Sequence, residues 1–336
     1  MITRAEDTFH SDAAPRIEEM TAASRRYVRL SPADEAVHRQ AEREPPLGSL
    51  SVAEERERML KGQTARVNDY AVDAFEVVAD ACRVTILRPQ NLSGPLFVSF
   101  YLHGGGWVLG DLDTHAEILC EFALRTGQAV AFINYPRAPE VRYPEIVPLC
   151  LAAIEQTLGL AAEIGLCADK FVLMGDSSGG NLALAIALLM RQQQAPAPAG
   201  LILLYPVTDG ATDSASYAEF SEDAVLSRHA MEWFWTQYLP DATNRSDPLA
   251  SPLRTPVEEL SGLPPALIVS CEYDVLRDQG EAMAARLIEA GVEVTAVRWL
   301  GALHGFLVTE SLLRTPSAQL CLDLVAQYAR RIFMAR

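Results

Sequence analysis

Positive charge is scarce in this chain: 28 lysines and arginines stand against 44 aspartates and glutamates, a formal net charge of −16 over 336 residues. That deficit argues against nucleic acid or an anionic membrane surface as a partner, because both are polyanions. A hydrophobic run of membrane-spanning length is also missing. The longest helical one, Leu182 to Met190, falls well short of the roughly 20 residues a bilayer requires. The opening residues MITRAEDTFHSDAAPRIEEM lack the apolar centre of a secretory signal, so the expectation is a soluble, cytoplasmic protein. The cysteines (Cys82, Cys120, Cys150, Cys167, Cys271 and Cys321) form no CxxC pair and stand at no metal-ligand spacing with histidine. Most sit in apolar stretches and read as reduced, buried thiols. No metal site is expected. Internal repeats and low-complexity tracts are absent; APAPA at 195–199 reads as a short surface loop.

Hydrophobic residues make up 49% of the chain, enough to bury a substantial core. Residues 1–70 are rich in Glu, Arg and Ala, with spaced apolar positions such as Met20, Tyr27, Val28, Leu30 and Met59. They predict helices too poor in apolar residues to fold alone, which must pack on something else. From about residue 75, short β-branched runs alternate with helical patterns. Strands are predicted at Cys82–Leu87, Leu96–Tyr101, Val130–Asn134, Phe171–Gly175, Leu201–Tyr205, Ala266–Cys271 and Val292–Trp299. Helices are predicted at Thr114–Arg125 (capped by Asp113 or Thr114), Glu145–Leu158, Gly179–Gln192, Arg277–Ala290 and Ser317–Ile332. This alternation implies an α/β fold with a mostly parallel sheet covered by helices on both faces. Residues 71–207 and 261–336 then form the core, and 208–260, rich in aromatics and prolines, an insertion. With residues 1–70 it is expected to form a helical cap over the carboxyl edge of the sheet, where open α/β sheets place their sites.

The sharpest motif is G-x-S-x-G, in FVLMGDSSGGNL (171–182), between a predicted strand and a predicted helix. A strand-to-helix turn there would hold Ser177 in a strained conformation and lift its hydroxyl above the sheet edge, at the positive end of a helix. Ser178 is a rival hydroxyl off the motif's centre; its backbone N–H is the better candidate for chemistry. Three consecutive glycines, Gly104, Gly105 and Gly106, follow an apolar strand directly. Such a loop is entropically costly unless bare N–H groups are needed, as they are for the oxyanion of acyl transfer. Gly105 and Gly106 are assigned to it with the Ser178 N–H, and Gly104 is kept as a candidate. His103, on the same loop, reads as a brace rather than a base.

An activated serine needs a base, and the base an orienting carboxylate; where the serine sits on a strand-to-helix turn of this kind, the chain order is Ser, Asp or Glu, His. Only His229 and His304 follow Ser177. His304 sits just past a predicted strand, whereas His229 lies within the insertion, so His304 is favoured. Three acids, Glu272, Asp274 and Asp278, compete after the strand Ala266–Cys271. Asp274 occupies the turn before the helix and is preferred; the others read as a strand-end charge and a helix-start partner. Trp107, Tyr205, Tyr217, Phe220 and Trp233 are candidate pocket walls.

Taken together, YLHGGGWVLGDLDTH (101–115), NYPRAPEVRYP (134–144), MGDSSGGNLA (174–183), YPVTD (205–209), SPL (251–253), SCEYDVLRDQGEA (270–282) and LHGF (303–306) resemble the hormone-sensitive-lipase-like family of α/β-hydrolases, particularly its bacterial esterases and acetyl esterases. The resemblance covers about residues 80 to 330. It implies the α/β-hydrolase fold and a triad of Ser177, Asp274 and His304. It also implies an oxyanion hole at Gly105, Gly106 and Ser178, and hydrolysis of short-acyl esters without a cofactor. A homodimer through an exposed sheet edge is consistent with the same analogy. The chain departs from the family at Tyr135-to-Glu140 (YPRAPE for the usual YRxAPE), at Val275 (usually proline) and at Ser178 (commonly alanine). Two other readings keep the fold: an amidase or transacylase on the same triad, and a non-catalytic small-molecule receptor. A standing His304 speaks against the receptor.

Overall fold

The computed structural model describes residues 30–79 and 82–334. The earlier part of the predicted N-terminal helical segment, with Met20, Tyr27 and Val28, lies outside them. One sheet organises the chain: β1 (Val72–Ala79), β2 (Cys82–Pro89), β3 (Leu96–Leu102), β4 (Ala129–Asn134), β5 (Leu166–Asp176), β6 (Gly200–Leu204), β7 (Ala266–Tyr273) and β8 (Val294–Leu303), in spatial order β1-β2-β4-β3-β5-β6-β7-β8. β2 is antiparallel to β1 and β4; every other neighbouring pair is parallel.

Eleven α-helices lie among the described residues: α1 (Pro32–Ala41), α2 (Val52–Lys61), α3 (Leu112–Thr126), α4 (Ile146–Gly159), α5 (Ser178–Gln192), α6 (Ala215–Glu219), α7 (Arg228–Tyr238), α8 (Val257–Leu260), α9 (Arg277–Glu289), α10 (Glu310–Leu313) and α11 (Pro316–Met334). Side chains alternate across the pleat, and both faces are covered. Val98, Phe100, Leu173, Leu203 and Ile268 point into the layer of α4, α5 and α9. Tyr101, Val172, Met174, Ile202 and Val269 point into that of α3 and α11. Burial on both sides is why the strands read as near-continuous apolar runs. Among the described residues no helix is long and apolar enough to cross a membrane.

Three local expectations need correction. β1 was not anticipated: Phe75 and Val78 are exposed on this edge strand, so its sequence shows no clean alternation. β8 runs to Leu303 rather than ending at Trp299, because Gly301 absorbs a backbone turn at φ +76°. The cap of α3 is Asp111, whose side chain accepts from Thr114 N at 2.9 Å, with Thr114 answering as the third helical residue.

Because β3, β5, β6, β7 and β8 are parallel, their carboxyl ends share one edge of the sheet. The segments following β3, β5, β7 and β8 are the glycine loop, the 175–179 turn, the acidic turn at 272–278 and His304. Over this edge lie α1, α2 and residues 224–234 of the 61-residue stretch between β6 and β7 (positions 205–265). Polar ties hold the N-terminal part down. Asp34 Oδ1 accepts from Leu303 N at 3.2 Å, and Glu310 accepts from the Thr64 and Ala65 N–H groups. Arg56 grips Glu140 with both terminal nitrogens and donates to the Val108 and Ala138 carbonyls, and this contact holds the Glu140 carboxyl down at about 2.

Candidate active site

The turn after β5 is tight because three backbones meet there. A Cβ at Gly175 would stand 2.3 Å from the Gly179 carbonyl oxygen, and one at Gly179 would stand 1.9 Å from that of Leu102. Only glycine fits either position. Between them Ser177 adopts φ +53°, ψ −118°, a conformation costing an L-residue about 1–3 kcal/mol. Compensation comes from backbone hydrogen bonds: Ser177 N donates to Leu204 O at 2.8 Å, and Ser177 O accepts from Val207 N at 3.1 Å and Asn181 N at 3.2 Å.

At the opening so formed, Ser177 Oγ lies 3.0 Å from His304 Nε2, and His304 Nδ1 lies 2.7 Å from Asp274 Oδ2. The other carboxyl oxygen of Asp274 accepts from Leu276 N at 2.8 Å, so the group is fixed at both ends. Tyr205 stands edge-on to the imidazole, ring centroids 5.0 Å apart. The rival residues stand elsewhere. His229 is on the exposed side of α7. Glu272 accepts from Gly301 N at 2.8 Å. Asp278 accepts from Ser216 N at 2.6 Å and pairs with Arg277 at 2.9 Å.

The glycine loop faces this trio. Gly105 and Gly106 have φ of +98° and +61°, and Trp107 follows at +62°. Among the described residues no acceptor meets the N–H of Gly105 or Gly106. Gly104 differs from the expectation that kept it as an oxyanion donor: its N–H is committed to Asp176 Oδ1 at 2.9 Å. Asp176 is buried and also accepts from the Tyr101 hydroxyl at 2.9 Å, with His115 Nε2 at 3.4 Å, an ion-pair separation rather than a well-formed hydrogen bond. Burial alone would raise its carboxyl, but His115 and these donors hold it below the ordinary carboxylate range.

His103 stacks on Tyr135 (centroids 4.1 Å apart) and has Nδ1 2.8 Å from Gly104 O, so the neutral ring braces the loop from below. Burial lowers its pKa to about 3. The unfolded chain binds this proton below about 6.5 and the folded chain does not, so stability must fall as pH drops from 6.5 toward 3. The slope is about 1.4 kcal/mol per pH unit. Urea denaturation at pH 7 and pH 4.5 is expected to show a shallower acid loss in His103→Gln than in the parent; equal losses would remove His103 as a source.

A cavity of about 320 Å³ opens above Ser177. Its wall corrects the expected one. Trp107, Tyr205, Tyr217, Phe220 and Trp233 do not line it; Val37, Leu47, Met59, Leu109, Val225 and Phe234 are among the residues that do. Trp107 instead stacks flat on Tyr238, Phe220 packs edge-on to Tyr273 under Arg277, and Tyr217 receives a hydrogen bond from Gln279. Phe234 presses on the glycine loop so closely that a Cβ at Gly106 would lie 2.1 Å from its ring. If Phe234 bounds the pocket, Phe234→Ala should raise kcat/KM for an octanoyl ester relative to a butyryl ester roughly tenfold. An unchanged chain-length profile would show that another residue sets the limit. No cluster of His, Cys, Asp or Glu suited to a metal occurs among the described residues, and all six cysteines are free thiols.

Comparison with known proteins identifies the family. A family model described as alpha/beta hydrolase fold matches residues 99–308. An esterase of Gibberella moniliformis is 34% identical over 271 residues, 79% of this chain and 85% of that protein. An ethyl acetate hydrolase of Pseudomonas putida is 36% identical over 208 residues, 62% and 65% of the two chains. Among solved structures, a thermostable esterase from Pseudomonas putida ECU1011 superposes with a TM-score of 0.87 at 32% identity, covering 92% of this chain and 99% of that one. The chain therefore belongs to the hormone-sensitive-lipase-like group of the α/β-hydrolase family and is a carboxylic ester hydrolase.

Proposed function

We propose that the protein hydrolyses small short-acyl esters through an acyl-enzyme on Ser177. The observation that carries this reading is the unbroken chain Ser177 Oγ, His304, Asp274, at 3.0 Å and 2.7 Å. The Ser177 hydroxyl attacks the ester carbonyl as its proton passes to His304 Nε2. Asp274 accepts the hydrogen bond of Nδ1–H, keeping Nε2 bare for that proton and stabilising the imidazolium. The carbonyl oxygen becomes an oxyanion received by the N–H groups of Gly105, Gly106 and Ser178, each contributing on the order of 3 kcal/mol to the transition state. His304 then protonates the departing alcohol, and water repeats the sequence on the acyl-enzyme.

The cavity volume supports the substrate size, since 320 Å³ lies at the low end for small-molecule pockets. The ethyl acetate hydrolase relative points the same way. The test is a series of p-nitrophenyl esters from acetyl to decanoyl, run beside anilides, with fluorophosphonate labelling mapped by peptide mass. Preference for acetyl to butyryl esters and a label on Ser177 are expected. A label elsewhere, or faster anilide cleavage, would sink the reading. Failure to label at all would return the non-catalytic receptor.

A further inference from the structure

The glycine loop is pinned to the nucleophile turn at two points, and both pins come from the residues flanking Ser177. On one side Asp176 Oδ1 takes the Gly104 N–H at 2.9 Å; on the other Ser178 Oγ takes the Trp107 N–H at 3.0 Å. Between these pins lie the two unengaged N–H groups, of Gly105 and Gly106. We propose that the Ser178 hydroxyl is a positioning group for ester hydrolysis: it clamps the far end of the glycine loop, so that one residue supplies an oxyanion N–H from its backbone and aligns the opposing donors with its side chain. This rests on the reaction proposed above.

The physical case starts from strain. Trp107 holds φ +62° without being glycine, a left-handed conformation costing about 1–2 kcal/mol. It persists only if its surroundings fix it. Its indole is locked against Tyr238, its carbonyl accepts from Ala138 N at 2.9 Å, and its N–H is held by Ser178. Ser178 is fully buried, as is Trp107, so with alanine at 178 that N–H would lose its partner where water does not reach. Relief is available by turning the 106–107 peptide about its flanking Cα atoms, and with that end unpinned the dihedrals of Gly106, whose φ is +61°, are free to change as well, which loosens the adjoining 105–106 peptide that carries the Gly106 N–H. Neither Ser178 nor Trp107 lines the cavity above Ser177. Loss of the pin therefore falls on the transition state, where oxyanion donors act, rather than on ground-state binding.

The experiment is Ser178→Ala in the full chain, measured three ways. Turnover of p-nitrophenyl acetate should show kcat reduced about tenfold with KM within twofold of the parent, since the donors remain but are loosened. Affinity for an alkyl trifluoromethyl ketone, which forms an oxyanion on Ser177, should fall by a similar factor. Affinity for the matching ether, which forms none, should be unchanged. Ser178→Cys, which keeps the shape with a poorer acceptor, should shift the same two quantities less, and it serves if the alanine variant is unstable. Unchanged kcat and ketone affinity would overturn the proposal, as would an equal loss of ether binding, which marks general pocket damage. The reaction itself is judged separately: if Ser177→Ala keeps its activity the mechanism fails, whereas if only Ser178→Ala does, the clamp alone fails.

Discussion

Ser177→Ala is expected to hydrolyse p-nitrophenyl acetate about 10⁵- to 10⁶-fold more slowly than the parent, with an unaltered far-UV circular dichroism spectrum. The size of the effect follows from what one oxygen does. It is the atom that would bond to the acyl group and the one His304 would activate, so its removal would idle the proposed base and its orienting carboxyl together. Residual rate over water should survive, because the glycine-loop amides and the cavity remain. The fold should survive too: Ser177 donates its hydroxyl only toward His304 Nε2, and the tight glycine packing at 175 and 179 does not involve it. Turnover within tenfold of the parent would end the assignment.

Asp274→Asn should lower kcat about 10⁴-fold while leaving the stability of the protein nearly intact. The structure dictates which way the new amide turns. Oδ1 of Asp274 accepts from Leu276 N, and only an oxygen can do that. The amide NH₂ must then occupy the position of Oδ2, 2.7 Å from His304 Nδ1. A donor there forces Nδ1 to be bare and Nε2 to carry the proton, the tautomer that cannot accept one from Ser177. The pocket keeps its shape, so KM should move little. Steady-state kinetics with thermal denaturation of the same preparation checks both halves. A loss confined to KM would mean that the residue shapes the pocket rather than the imidazole.

Much of this site could be read from the chain because its parts are covalently adjacent or sterically forced. The glycines at 175 and 179 announce a turn no other residue fits, and only two histidines follow Ser177. A parallel sheet then does the gathering, since strand ends with like direction share an edge. The cavity wall was illegible for an equally physical reason. Helix α7 carries Trp233, Phe234, Trp235 and Tyr238 on several sides, and which side meets the substrate is settled by docking, not by periodicity. Phe234 faces the opening while Trp235 is sealed against Trp107. Nor could sequence tell that the Gly104 N–H is taken, because Asp176, its partner, lies 72 positions away. Likewise the departure from alanine at 178 carries no sign in the chain that its hydroxyl meets the Trp107 amide at 3.0 Å.

The ties from Asp34 to the Leu303 N–H and from Glu310 to Thr64 and Ala65 bracket the histidine at 304 on both sides. The helices over the cavity are thus sewn to the segment that carries the proposed base. Grafting a foreign roof onto this scaffold, or trimming its leading helices, will alter reactivity as well as selectivity unless residues 303–310 travel with the exchanged piece as a single cassette.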